Sequence, residues 1–145
     1  MRNKETNLFR KPQGFRTIRF HLTAEAIEWL AGTTRDDDGR EISNFILFGD
    51  LLARMALTTG ESKGFRRPLT LSAGQAQYSE EQLSVRWHMG RKRIRNLLDT
   101  LTDMGLIGTN RSRVASVMTF PCVRGWKTAG SIISSPFIHS EQREK

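Results

Sequence analysis

The sequence predicts a mainly α-helical domain with one small β-hairpin, an α+β winged helix-turn-helix, and three observations predict it. Residues 79–104 read as two short helices separated by a turn that contains glycine. The apolar residues of 42–58 recur at three- and four-residue steps, as in a helix that runs through a core. Basic residues gather in the middle third of the chain, beside a hairpin pattern at 106–120.

A chain of 145 residues suits one domain that buries a real core. Charged residues make up 26% and hydrophobic ones 37%, an ordinary globular balance. No apolar run approaches the roughly 20 residues of a bilayer span. The polar segment 1–11 lacks the apolar centre of a signal peptide, so a cytoplasmic, nucleoid-associated protein with no membrane partner is expected. The net charge of +8 attracts polyanions. Residues 1–61 hold 9 Lys and Arg against 9 Asp and Glu, whereas residues 62–113 hold 10 against 4. The excess therefore coincides with the two-helix pattern. The single cysteine, Cys122, lies in an apolar stretch and reads as a buried, inert thiol.

Taken in order, residues 1–13 read as a flexible basic arm, 14–128 as the domain with an N-terminal strand and helix extension, and 129–145 as a tail. Residues 15–20 alternate in part and predict a short strand. Thr23 is a plausible N-cap for a helix to about Ala31, with Ile27 and Leu30 inward and Gly32 ending it. Residues 33–39, with Asp36, Asp37 and Asp38, read as a solvated loop, since no spaced further ligands make it a metal site. The helix over 42–58 points Ile42, Phe45, Ile46, Leu52 and Met55 inward, and residues 60–64 break it. Residues 67–71 are extended, and Gly74-Gln75 is a turn. Ser79 and Gln82 match a capping box that starts a helix over 80–86. His88-Met89-Gly90 is the turn, with Gly90 supplying backbone freedom. The second helix spans 91–104 and stops at Gly105. Residues 106–107 enter a strand, 110–113 turn, and 114–120 return. Beyond Pro121 the pattern is irregular.

Two short helices joined in this way place the second where it can enter the major groove of DNA while the first braces it. At 100° per residue, Leu97, Leu98 and Leu101 fall within about 60° of Ile94. Lys92 and Asn96 fall nearly opposite, flanked by Arg91, Arg93 and Arg95. Arginine can bind guanine bidentately and asparagine can bind adenine. Four cations near a helix N-terminus oppose the helix dipole unless an anion binds there. The hairpin adds Arg111, Ser112 and Arg113 at its tip. The expected DNA contacts are therefore Arg86, Arg91, Arg111 and Arg113 on phosphates, and Lys92, Arg93, Arg95 and Asn96 on bases, with Ser112 as a further contact.

From about residue 45 to 126 the chain resembles the winged-helix domain of DnaD-like and phage replisome-organiser proteins. The resemblance rests on Leu69-Thr70-Leu71-Ser72-Ala73-Gly74-Gln75, a Ser-capped helix, a basic helix ending in Leu101-Thr102-Asp103-Met104-Gly105-Leu106-Ile107, a wing, and the aromatic pair Phe120 and Trp126. It implies a winged-helix fold that binds DNA. Met89-Gly90 stands where that family has a small polar residue, and the chain has no room for the family's second helical domain.

No enzyme is expected. His21, His88 and His139 are isolated from other metal ligands, and no Gly-rich phosphate loop is present. Neither metal nor cofactor is implied. The sequence thus points to a sequence-specific double-stranded DNA-binding protein, a transcriptional regulator or a replication or recombination accessory factor of a phage or mobile element. A homodimer would read two half-sites about one helical turn apart. The alternative is an interaction or oligomerisation module built on the 42–58 helix and the 15–31 segment. Single-strand binding through Trp29, Trp87 or Trp126 is a third reading.

Overall fold

Hydroxyl caps decide where three of the four described helices begin. Thr23 Oγ1 accepts from the Ala26 amide at 3.0 Å and starts α1 (Ala24–Leu30). Ser43 Oγ accepts from Ile46 at 3.4 Å and starts α2 (Asn44–Leu52). Ser79 Oγ accepts from Gln82 at 3.1 Å and starts α3 (Glu80–Trp87). Each satisfies an amide that the helix itself leaves unpaired. The fourth helix, α4 (Arg91–Asp103), begins at Gly90, which has no side chain to cap with. At its other end Gly105 (φ +79°) lets the Leu106 amide donate back to Leu101 at 3.0 Å, a turn that stops the helix.

The computed structural model describes residues 17–62, 64–111, 115–128 and 130–137. Ten short strands in four antiparallel sheets accompany the helices there. In the first sheet β9 (Val123–Lys127) lies between β1 (Thr17–Phe20) and β10 (Ile132–Ser134). β2 (Thr33–Arg35) pairs with β3 (Glu41–Ser43), and β4 (Gly60–Glu61) with β5 (Thr70–Leu71). In the last, β8 (Ser116–Thr119) lies between β6 (Gln75–Tyr78) and β7 (Gly108–Arg111). Helix α3 packs on α4, and this pair sits in the chain between β6 and the β7–β8 hairpin. No helix among the described residues is long and apolar enough to cross a membrane.

This architecture corrects the mainly α expectation: helix and strand are present in about equal amounts. Strands of two to five residues are too short to print a period-two pattern. The expected helix over 42–58 is really β3 followed by α2, which ends at Leu52. Past that point the Ala56 amide donates to Gln75 and the Gly74 amide donates to Ala56, both at 2.8 Å, so the backbone is bonded to the start of β6 instead of to its own preceding turn. Met55 is buried as expected, while Phe45 is 60% exposed. In α1 Ala26 is buried and Leu30 packs half-buried against the core as expected, whereas Ile27 faces solvent. The irregular stretch after Pro121 is the first sheet, whose central Gly125 is required: a Cβ there would lie 2.5 Å from the Ile133 carbonyl oxygen.

One core joins the four helices to the first sheet and to β3, β6 and β8: Leu47, Leu51, Leu83, Trp87, Ile94, Leu98, Leu101 and Trp126 are essentially inaccessible. Cys122 lies in the same core. Its Sγ donates to the Leu106 carbonyl at 3.4 Å, and burial pushes its thiol pKa up to about 12, so it is inert at neutral pH.

Asp50 is the charged exception. It is fully buried on α2, and its carboxylate accepts from Arg86 Nε (3.0 and 2.9 Å), Trp87 Nε1 (2.8 Å) and Arg54 Nη2 (3.2 Å). Burial alone would raise its pKa. The Arg86 hydrogen bond, the Arg54 charge and the Trp87 hydrogen bond outweigh that and hold it below the ordinary carboxylate value. The carboxylate thus fastens α2 to the last turn of α3.

Replacing Asp50 by Asn should lower the unfolding free energy by roughly 2–4 kcal/mol, the loss of one partner of a buried pair discounted because Arg86 reaches solvent. Urea denaturation measures it. Because the folded pKa is depressed, this stabilisation is complete above the unfolded value of about 3.9 and is lost as pH falls through the folded value. The wild type should therefore lose stability more steeply below about pH 4 than Asp50→Asn does.

Candidate nucleic-acid interface

Helix α4 is two-faced. Ile94, Leu98 and Leu101 are buried, Leu97 is half-buried, and Arg91, Lys92, Arg93, Arg95 and Asn96 are exposed. The side chains of Lys92 and Asn96 make no hydrogen bond or ion pair among the described residues, and they occupy the outward face of its first two turns. Further along, that face carries Asp99 and Asp103, so the cationic part is the N-terminal half alone.

The remaining cations are engaged by acids from other elements. Arg95 holds Glu80 of α3 through Nη2–Oε1 at 2.7 Å and Nε–Oε2 at 3.3 Å. Arg111 at the end of β7 reaches the same carboxylate at 3.4 Å and Asp99 at 3.3 Å, and Arg91 lies 3.9 Å from it. Glu80 is nearly buried, and these three guanidiniums, the Arg95 hydrogen bond foremost, keep its pKa below the ordinary value against the effect of burial. One carboxylate thus sets three arginines in a fan. Their heads remain 60% (Arg91), 54% (Arg95) and 41% (Arg111) exposed, with donors left over for an anion.

Arg93 is held differently. Its Nη1 donates to Asp37 Oδ1 at 2.7 Å and its Nη2 to the Arg35 carbonyl at 2.5 Å. The other Asp37 oxygen accepts from the Gly90 amide at 2.8 Å, so α4 receives its N-cap from a residue 53 positions away. The Asp37 amide donates to the His88 carbonyl at 2.9 Å, and Asp38 lies 3.3 Å from His88 Nδ1. Asp36 is buried and accepts from the amides of Asp38 and Arg40, both at 2.9 Å. The three aspartates expected in a solvated loop are therefore the tip of the β2–β3 hairpin docked on the α3–α4 turn. In that turn the left-handed residue is His88 (φ 57°), while Gly90 is extended. The expectation for Gly90 is corrected accordingly.

Arg86, expected on a phosphate, is turned inward to Asp50. Ser112 and Arg113 at the hairpin tip lie outside the described residues, as do the arm 1–13 and residues 138–145. Of the nine expected contacts, Arg91, Arg95 and Arg111 are brought together at Glu80, Lys92 and Asn96 are exposed on the same helix, and Arg93 is held apart by Asp37.

The structure adds residues that the sequence reading missed. Arg66 and Arg67, in the loop before β5, line an open cleft of about 560 Å³ together with Arg91, Arg95 and Arg111. Gln77 Nε2 donates to the Arg67 carbonyl at 3.1 Å, and Ser62 Oγ donates to Gln77 Oε1. Gln82 Nε2 donates to the Gly64 carbonyl at 3.3 Å, so Gln82 fixes this loop instead of closing the capping box. The run Lys63-Gly64-Phe65-Arg66-Arg67 was the available signal, since it opens the basic segment 62–113. Comparison with known protein families, with curated proteins and with solved structures gives no match.

Replacing Asp37 by Ala removes the acceptor for the Gly90 amide and the partner of Arg93, and should cost about 1 kcal/mol of stability. Hydrogen exchange at the Gly90 amide should accelerate in Asp37→Ala and stay unchanged in Asp38→Ala, as read by amide-resolved NMR.

Proposed function

We propose that this protein binds double-stranded DNA in a sequence-specific manner, with the N-terminal half of α4 against base edges and flanking arginines on phosphates. The observation that carries the reading is the pairing of Lys92 and Asn96, exposed and unengaged on the outward face of α4, with the Glu80-organised fan of Arg91, Arg95 and Arg111 beside them. A helix is the element that fits the major groove. An asparagine with both amide groups unused can bond adenine, and a preset arginine loses less entropy on meeting phosphate. Arg93 serves the scaffold through Asp37, and Arg86 through Asp50. The base contacts are thereby narrowed to Lys92, Asn96 and the free donors of Arg95.

The biological setting we favour is a transcriptional regulator or a replication or recombination accessory factor of a phage or mobile element, acting in the cytoplasm on the nucleoid. The likeness of 69–75 and 101–107 to the DnaD-like pattern belongs to this proposal.

A second reading, self-association, is favoured by one observation: Ile27 on α1 and Phe45 on α2 are 54% and 60% exposed, on helices that pack together. A homodimer formed there would present two copies of α4 to two half-sites. Light scattering should then give a dimer that Phe45→Ser reduces to a monomer.

Selection from random duplexes should return a defined sequence, and binding to it should weaken steeply with salt. Lys92→Ala with Asn96→Ala should lower affinity for the selected duplex by tenfold or more and leave binding to unrelated duplexes nearly unchanged, as read by fluorescence anisotropy. Absence of any salt-dependent duplex binding by the wild type would end this reading.

A further inference from the structure

The basic cleft reaches beyond the surface used by α4. Five guanidiniums line it against two carboxylates, Glu80 and Glu81. Three of the five are organised by Glu80, whereas Arg66 and Arg67 are exposed and their side chains have no partner among the described residues. Their loop is nevertheless fixed, by Gln77 on β6 and Gln82 on α3. Placing two uncompensated cations in one cleft with three others is unfavourable unless an anion lies among them. Tyr78 lines the same cleft at 2% exposure, and its hydroxyl has no hydrogen-bond partner among the described residues.

An open cleft lined by five guanidiniums suits a tetrahedral, multiply accepting anion. It does not suit an apolar ligand, whose sites are enclosed and mostly lined by hydrophobic side chains. We propose that the cleft is a phosphodiester site in which Arg66 and Arg67 hold the nucleic-acid backbone together with Arg91, Arg95 and Arg111. This rests on the duplex-binding reading and extends it: the footprint has a second, sequence-independent grip supplied by the loop before β5.

The test compares wild type with the double variant Arg66→Ala, Arg67→Ala in anisotropy titrations at several salt concentrations, on two duplexes of unrelated sequence. The double variant should bind both duplexes at least tenfold more weakly at moderate salt, by the same factor for each, with a log–log salt slope smaller by about 2. Its thermal unfolding should match the wild type, because both side chains are exposed and unpaired. If the wild type binds duplex and the double variant keeps its affinity and slope, the cleft is not a phosphate site and the role of α4 stands. If the variant loses affinity on one duplex only, the loop reads sequence and the proposed backbone grip is wrong. If the wild type binds neither duplex, the underlying reading fails and takes this one with it.

Discussion

Everything at the surface depends on a carboxylate that never reaches it. Asp50 sits in the core and accepts hydrogen bonds from Arg54, just past the end of α2, and from Arg86 and Trp87 at the end of α3. An isolated charge in such a place would be expelled or protonated. Two donors on α3 and one just past α2 make it tolerable, and they do so only when the end of α3 is at one distance and one rotation from α2. The core leucines would accept several such arrangements, because apolar contact is not directional. The ion cluster supplies the direction. It thereby fixes the α3–α4 turn that follows, and with it the side of α4 that looks outward.

The same logic repeats at the surface with Asp37 and Glu80. Both carboxylates arrive from outside α4, and both do structural work that the helix cannot do for itself. Asp37 caps an N-terminus that begins with glycine, and Glu80 gathers three arginines that would otherwise repel one another. A helix that opens with Arg91, Lys92 and Arg93 works against its own dipole. Two imported acids offset that penalty without cancelling the charge, so the face remains cationic while the arginine heads are held in place. Lys92 and Asn96 are left over on α4, exposed and with their side-chain bonding capacity unused among the described residues.

How far the sequence could be read follows from the range of the interactions. Thr23, Ser79 and Gly105 were legible because caps and stops are settled within four residues. The outward position of Lys92 and Asn96 was legible because a wheel needs only helix period and one buried stripe. Residues 53–58 were misread as helix because their apolar residues do face the core, as Met55 does, but on a backbone paired with Gln75 across 19 positions. β9 was invisible as a strand: Gly125 interrupts its alternation, and the need for that glycine lies in Ile133 and Arg19 on the flanking strands. Among the site residues, Arg86 and Arg93 were assigned to DNA because their acids, Asp50 and Asp37, stand 36 and 56 positions away. Charge counts along one helix miss partners brought by the fold.

The central claim is that the outward N-terminal half of α4 and the arginines around Glu80 face a DNA duplex. The most direct measurement is an amide-resolved NMR titration of the intact chain with its selected duplex at moderate salt. The account expects the largest shifts at residues 90–97 with a second group at 108–116, and little change along α1 and β9. Shifts centred on α1 and α2 with α4 undisturbed would contradict it.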